Sequence, residues 1–166
     1  MNVLALDLAT KTGWALGAER MTESGVQVFD VKRGESPGMR YVRFRRWLDE
    51  IATAADLIVY EQTVSSPGRI AVEIADGLAT RVQEYCALQK LSGRSVEHQP
   101  VYPATIKKFV TGKGNAKKPA VIEAVIRRGW FPAGRDADDN EIDAIALFHY
   151  ALAEIVPQSI PTTKAR

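Results

Sequence analysis

The sequence predicts one α/β domain built on a five-stranded mixed sheet, three strands antiparallel and two parallel, with helices on both faces. Three observations predict it. The first 35 residues hold three short strand-like runs joined by connections too brief for a crossover, which makes them antiparallel neighbours. From residue 38 onward the pattern becomes helix, strand, helix, strand, the arrangement that pairs strands in parallel. The length, 166 residues with 46% apolar side chains, suffices for a single domain with a real core.

Each element has its own signal. "VLALDL" (3–8) is a first strand whose two faces are Val3, Ala5, Asp7 and Leu4, Leu6, Leu8. "ATKTG" reads as the turn, "WALG" as the second strand, and "GVQVFDV" alternates as the third. Tyr41, Phe44, Trp47, Leu48 and Ile51 recur at helical spacing and predict a helix over 38–55. "DLIVYE" (56–61) is a buried strand that ends in an acid. A long helix follows over 70–91, striped by Ile70, Ile74, Leu78, Val82, Tyr85 and Leu88. "SVEHQPVY" (95–102) is the fifth strand. Pro103 opens a short helix, since proline is tolerated in a first turn, and "TGKGNAKK" breaks it. "KPAVIEAVIRRGW" is a helix ended by Gly129. The last helix spans about 139–156 and is stopped by Pro157, giving a folded domain over 1–157 and a flexible tail over 158–166.

Composition narrows the functional classes. The single cysteine, Cys86, excludes an internal disulfide, fits a reducing compartment and sits in an apolar helical pattern as a small core residue. No signal-peptide pattern opens the chain, and no apolar run approaches the roughly 20 residues of a membrane helix. A cytoplasmic location and no membrane partner are therefore expected. Net charge is only +2, but its distribution is uneven. "MRYVRFRRW" (39–47) holds four arginines, "IKKFVTGKGNAKK" (106–118) five lysines and no acid, and "RDADDNEID" (135–143) five acids. Basic patches around an acidic knot suit a metalloenzyme that binds a polyanion, although solvated helix faces also produce such patches.

The acids carry the chemistry. Asp7 lies inside one apolar strand and Glu61 closes another, so both belong near the middle of the sheet. A buried unpaired carboxylate is expensive, whereas one that coordinates a cation is not. Oxygen donors without a His or Cys cluster suit Mg²⁺ or Mn²⁺. Asp139 and Asp143 are four residues apart and share a helical face, where like charges repel unless something positive lies between them. Asp138 precedes Glu141 by three, the spacing of a capping box, and Asp136 is a second candidate cap; capping and the helix dipole account for Asp136, Asp138 and Glu141. They do not account for Asp143, which follows the first turn beside Ile142, Ile145 and Ala146. Two ions held by such acids make a phosphodiester-cleaving site. This reading needs no histidine base, and His98 in the fifth strand and His149 late in the last helix are poorly placed to be one.

Asp7 in "LALDLATKTGWAL", Glu61 in "IVYEQ", the segment "PATIKKFVTGKGNAKKPAVIEAV" and the final "DDNEIDAIAL" together resemble the RuvC-type Holliday junction resolvases, of the RNase H-like fold. The compact form is similar to phage-encoded members. The resemblance implies an Mg²⁺- or Mn²⁺-dependent endonuclease with two ions per site, acting as a homodimer that nicks opposed strands of a four-way DNA junction in a bacterial cell or phage-infected host. It places the first-strand acid on Asp7, the fourth-strand acid on Glu61 and the final acid on Asp143. Many members carry the remaining ligand three residues before that final acid, where this chain has Asn140. Asp139 is the nearest acid on the same face, with Asp136 and Asn140 as alternatives. Lys107, Lys108, Lys113, Lys117 and Lys118 are the expected phosphate contacts, and Gly112 and Gly114 would let backbone amides approach a phosphate. Arg69 is a candidate contact at the crossover. Family members often place an aromatic wedge in the loop after the fourth-strand acid; "QTVSSPGRIAV" has none. Val72, Ala75, Ala79 and Cys86 are candidates for a dimer strip.

Other readings share these residues. An RNase H-like nuclease acting on other branched DNA or on an RNA/DNA hybrid would use the same acids. A non-cleaving junction-binding module would fit Asn140 but not Asp139. A sugar-kinase or actin-like ATPase also opens on an acid-bearing hairpin, but needs two large lobes that 166 residues cannot supply.

Overall fold

The computed structural model of the chain describes residues 1–64 and 68–159. Strands β1 (Val3–Asp7), β2 (Lys11–Gly17), β3 (Met21–Val28), β4 (Leu57–Glu61) and β5 (Glu97–Val101) form one sheet in the order β3-β2-β1-β4-β5. The β1–β2 and β2–β3 pairs are antiparallel, and the β1–β4 and β4–β5 pairs parallel. This is the predicted mixed sheet, and β1 is its hinge point: the chain leaves it to one side through the hairpins and returns to the other through the crossovers.

Helices cover both faces, as expected. Leu4, Leu6, Ile58 and Tyr60 face α1 (Met39–Ile51) and α2 (Arg69–Leu91), where Phe44, Leu48, Leu78, Val82, Tyr85 and Cys86 complete one core. Val3, Ala5, Leu57 and Val59 face α3 (Pro103–Thr111), α4 (Lys118–Arg127) and α5 (Asp139–Tyr150), where Ile106, Val110, Val121, Val125, Ile142, Ile145 and Phe148 complete the other. The parity of each strand decides this partition. Gly112 closes α3 at φ +83°, its N–H bonded to the Lys108 carbonyl at 2.8 Å, and Gly129 follows α4 at φ +68°; both are left-handed positions that glycine fills at least cost.

Several boundaries differ from the sequence reading. β2 begins at Lys11 rather than Trp14, because Lys11, Thr12 and Gly13 already pair with Val28, Gln27 and Val26. The turn is thereby confined to Leu8–Thr10, where the buried Thr12 hydroxyl donates to the Ala9 carbonyl at 2.7 Å. β3 runs from Met21 to Val28 rather than from Gly25 to Val31: Met21–Ser24 lack an apolar alternation but are held by pairing with β2, and the chain leaves the sheet at Phe29, whose buried ring meets Phe44 and Trp47 edge-on. On α2, Ile70 is 74% exposed and Leu88 also lies outside the core, so the buried stripe is shorter than the periodicity implies. Cys86 is buried, as a core residue should be, which removes it from the candidate dimer strip.

Pro157 does not end the last helix. A five-residue π-turn, Ala151–Ile155, follows α5, with the Val156 N–H reaching the Ala151 carbonyl, and a short turn α6 (Val156–Ser159) continues beyond it. Widening the ladder to i→i+5 just before a residue that lacks an N–H lets the path continue where a strict α-helix would clash. Of the expected tail only Gln158 and Ser159 fall within the described residues. No helix among the described residues is long and apolar enough to cross a membrane.

Candidate active site

Asp7 and Glu61 end β1 and β4, which are parallel neighbours. The last pair in their register is Leu6 with Tyr60, so the two acids lie one step beyond it, side by side at the carboxyl ends of the strands. Their parity is that of Ala5 and Val59, so both point to the α3–α5 side. In open α/β sheets this is where functional residues collect, outside the carboxyl ends at the point where the chain switches direction.

α5 brings the last acids to the same place. Its first turn is pressed onto β2 at Gly13, where a Cβ would lie 1.8 Å from the Asn140 carbonyl oxygen; only glycine permits that approach. Gly13 pairs with Asp7 across the β1–β2 ladder, so the start of α5 stands next to Asp7. Asp143 then faces the two strand acids from α5. Lys118, the first residue of α4, donates to Asp143 Oδ2, and Lys107 of α3 lines the cavity with Glu61, Lys118 and Asp143. A second, adjoining cavity is lined by Asp7, Glu61, Lys107 and Val64.

The electrostatics reflect this crowding. Burial, reinforced by the carboxylates of Asp143 and Glu61, pushes the Asp7 carboxyl well above the usual range, against the opposing pull of Lys118. Burial and Asp143 push Glu61 up to about 7, with Lys107 and Lys118 opposing. Asp143 is also raised by burial, although its bond to Lys118 works the other way. On Lys118, burial is outweighed by the Asp143 bond and by the charges of Asp7 and Asp139, so its pKa rises. Three carboxyl groups thus share the site with two lysines, and burial and mutual repulsion favour their protonated forms. Among the described residues no three His, Cys, Asp or Glu side chains converge on one point as a ready-made metal cage; the acids instead line the two cavities, with Lys118 drawn onto Asp143.

The remaining expected residues fall as follows. Asp139 is exposed at the start of α5, near enough to Asp143 and Lys118 for its charge to be felt at both. Asp136 is exposed in the loop before α5. Asn140 turns back on the cap of its own helix, its side-chain amide donating to Asp138 Oδ1 at 3.2 Å. Asp138 is the cap, accepting the Asn140 N–H at 3.0 Å. The capping box is not completed. Glu141, only 2% exposed, turns the other way to accept from Ser24 at 2.7 Å and from Arg135, whose Nη2 reaches both its oxygens at 2.7 Å. Lys108, Lys113 and Lys117 are exposed on the α3–α4 side. Arg69 is the first residue of α2 rather than part of the preceding loop, 91% exposed and paired with Glu73 at 2.8 Å. Residues 65–67 of the expected wedge loop lie outside the described residues.

The arginines of α1 do not join this surface. They lie on the opposite layer, where Arg40 donates to Phe29, Arg43 to Asp30 and Glu35, Arg45 to Asp49, and Arg46 pairs with Glu50. Neither histidine is at the site. His98 stacks on Tyr60, and His149 lies 4.0 Å from the Trp130 ring, its pKa lowered to about 4 by burial and Arg128.

No family model matches the sequence, and neither does any curated protein. Solved structures of the same shape are found. RuvC of Thermus thermophilus in complex with a Holliday junction substrate superposes with a TM-score of 0.67 at 20% identity, covering 89% of this chain and 90% of that one. The chain has the fold of RuvC. The yeast mitochondrial Holliday junction resolvase Ydc2 matches with a TM-score of 0.58 at 12% identity, over 89% of this chain and 82% of that one. The fowlpox virus Holliday junction resolvase matches at 0.60 and 10%, over 92% and 99%. The structure brings the sequence-predicted Asp7, Glu61 and Asp143 together, and beside them Lys11 pairs with Asp138 and Gly13 abuts Asn140, two contacts the sequence does not predict. Both residues read locally as part of the turn, because the partners that give them their roles lie more than 120 residues away.

Proposed function

We propose that the protein is a divalent-cation-dependent endonuclease that nicks opposed strands of four-way DNA junctions. One observation carries this reading: half-buried Asp7, Glu61 and Asp143, crowded at the carboxyl ends of β1 and β4 and bordered by Lys107 and Lys118. A similar fold, RuvC of Thermus thermophilus, has been solved with a Holliday junction substrate, which favours junction DNA over other branched DNA or a hybrid.

The donor set fits hard cations. With Asn140 turned back on its own helix cap, Asp7, Glu61, Asp143 and Asp139 offer only carboxylate oxygens, whose mutual repulsion a divalent cation would relieve. Asp7, Glu61, Asp143 and Asp139 would hold Mg²⁺ or Mn²⁺, two ions per site. When bound, the ions supply an activated water and charge stabilisation at the leaving oxygen. The chain's own residues do the rest. The exposed Lys108, Lys113 and Lys117 bind backbone phosphates. Lys107 and Lys118, already beside the acids, hold the scissile phosphate against carboxylates that would otherwise repel it. Two-fold nicking calls for a homodimer, and the half-buried Val72, Ala75 and Ala79 with exposed Ile70 on α2 offer an apolar strip for it. The single buried cysteine suits the cytoplasm.

Nicking of a synthetic four-way junction with Mg²⁺, Mn²⁺ or Ca²⁺ tests this reading. Mg²⁺ or Mn²⁺ should support symmetric nicks, and Ca²⁺ binding without efficient cleavage, because its larger and more flexible shell positions the water poorly. Asp7→Asn and Asp143→Asn should bind the junction and not nick it. Equal cutting of junction and linear duplex would overturn the resolvase reading and leave a nuclease.

A further inference from the structure

We propose that Lys11 is a positioning residue that reserves Asp138 for capping α5, so that Asp139 and Asp143 are the α5 acids left to face the cation site. The inference rests on the cation-dependent reading above and goes further, because it says what selects among three neighbouring acids.

Asp138 is fully engaged. Its Oδ1 accepts the Asn140 N–H and side-chain amide at 3.0 and 3.2 Å, and its Oδ2 accepts from the Lys11 ammonium. Asp139 and Asp143 lie one helical turn apart on the same face. Asp138 directly precedes Asp139 at the start of α5, beside Gly13, the ladder partner of Asp7, so without Lys11 it would compete with Asp139 for the same ions. Lys11 can hold Asp138 because β2 and the start of α5 are locked together two residues away, at Gly13 against Asn140. The pair is half open to solvent, Lys11 47% and Asp138 24% exposed, so Lys11 is not needed as a core residue.

Asp138 and Asp139 should therefore become interchangeable when Lys11 is removed. Mn²⁺ binding to the full chain without DNA, followed by calorimetry, reads this directly. In the Lys11 background, Asp139→Asn should weaken Mn²⁺ binding about tenfold or more, the scale expected when a site group is lost. In the Lys11→Met background the same change should cost about threefold or less, because Asp138 takes its place, and Lys11→Arg should restore the full loss. Lys11→Gln serves if Lys11→Met does not fold, as judged by thermal unfolding. An equal loss from Asp139→Asn in both backgrounds would overturn the proposal. So would unchanged Mn²⁺ behaviour in Lys11→Met with weakened junction binding, which would make Lys11 a phosphate contact. Absence of Mn²⁺ binding to the unaltered chain would show up first and would instead sink the cation-dependent reading on which this one stands.

Discussion

Gly13 and Asn140 are so close that the Cβ of any other residue at 13 would overlap the Asn140 carbonyl, 1.8 Å away. That contact seats the first turn of α5 on the hairpin that carries Asp7. Gly13→Ala must therefore shift α5 or break the β2 ladder. Overpacking of this kind costs about 1–3 kcal/mol, and a backbone obstacle places it at the upper end. Chemical denaturation should show the loss. Nicking activity should fall further than the remaining folded fraction explains, because Asp143 moves with the helix.

Stability should fall as pH rises when no divalent cation is present. Asp7, Glu61 and Asp143 all have folded pKa values above their unfolded ones, near about 4. The native state then binds more protons than the unfolded chain, so stability is greatest below about pH 4 for these groups and is lost as each deprotonates. For Glu61 the window closes at about 7. In the presence of a chelator, Tm from these groups should drop between pH 5 and pH 8, and Glu61→Gln should flatten that slope. A Tm that rises over this range would show that Lys107 and Lys118 more than neutralise the acids.

Arg135→Met should destabilise the fold although Arg135 itself is 45% exposed. It strands the buried Glu141 carboxylate, which keeps only Ser24. Loss of one partner of a buried pair costs roughly 3–5 kcal/mol, less where a hydrogen bond remains, so about 2–4 kcal/mol is expected in urea unfolding. The double variant Arg135→Met/Glu141→Gln should recover part of it. No recovery would show that Arg135 acts through its stacking on Phe131, 5.6 Å away.

Junction affinity should depend steeply on salt. Each duplex phosphate contact contributes about 0.9 to the slope of log affinity against log salt. Replacing Lys108, Lys113 and Lys117 by alanine should lower the slope by about 2–3 without changing Tm, since all three are exposed. An unchanged slope would mean that these lysines face solvent in the complex.

Much of this was legible in the sequence because it is local. Alternation in "VLALDL" puts Asp7 on the face of Val3 and Ala5, "IVYE" closes a buried strand on Glu61, and helical spacing puts Asp143 beside an apolar stripe. What was not legible depends on distant partners. Lys11–Gly13 look like turn residues until β3 pairs with them, and Met21–Ser24 are strand only because β2 lies alongside. Glu141 has the spacing of a capping partner, but Ser24 and Arg135 claim it across the fold. Pro157 looks like a terminus because a π-turn, the device that carries the helix past it, leaves no local pattern.

The parallel seam between β1 and β4 has an evolutionary corollary. Deleting one residue within either strand would swing its terminal carboxylate through the sheet to the α1–α2 layer, separating Asp7 from Glu61. Loop lengths elsewhere are free to drift, since they only have to bring the strands back into step. Tolerance to length change should thus be lowest within Val3–Asp7 and Leu57–Glu61, and a scan of single-codon deletions would test this without any assay of chemistry at all.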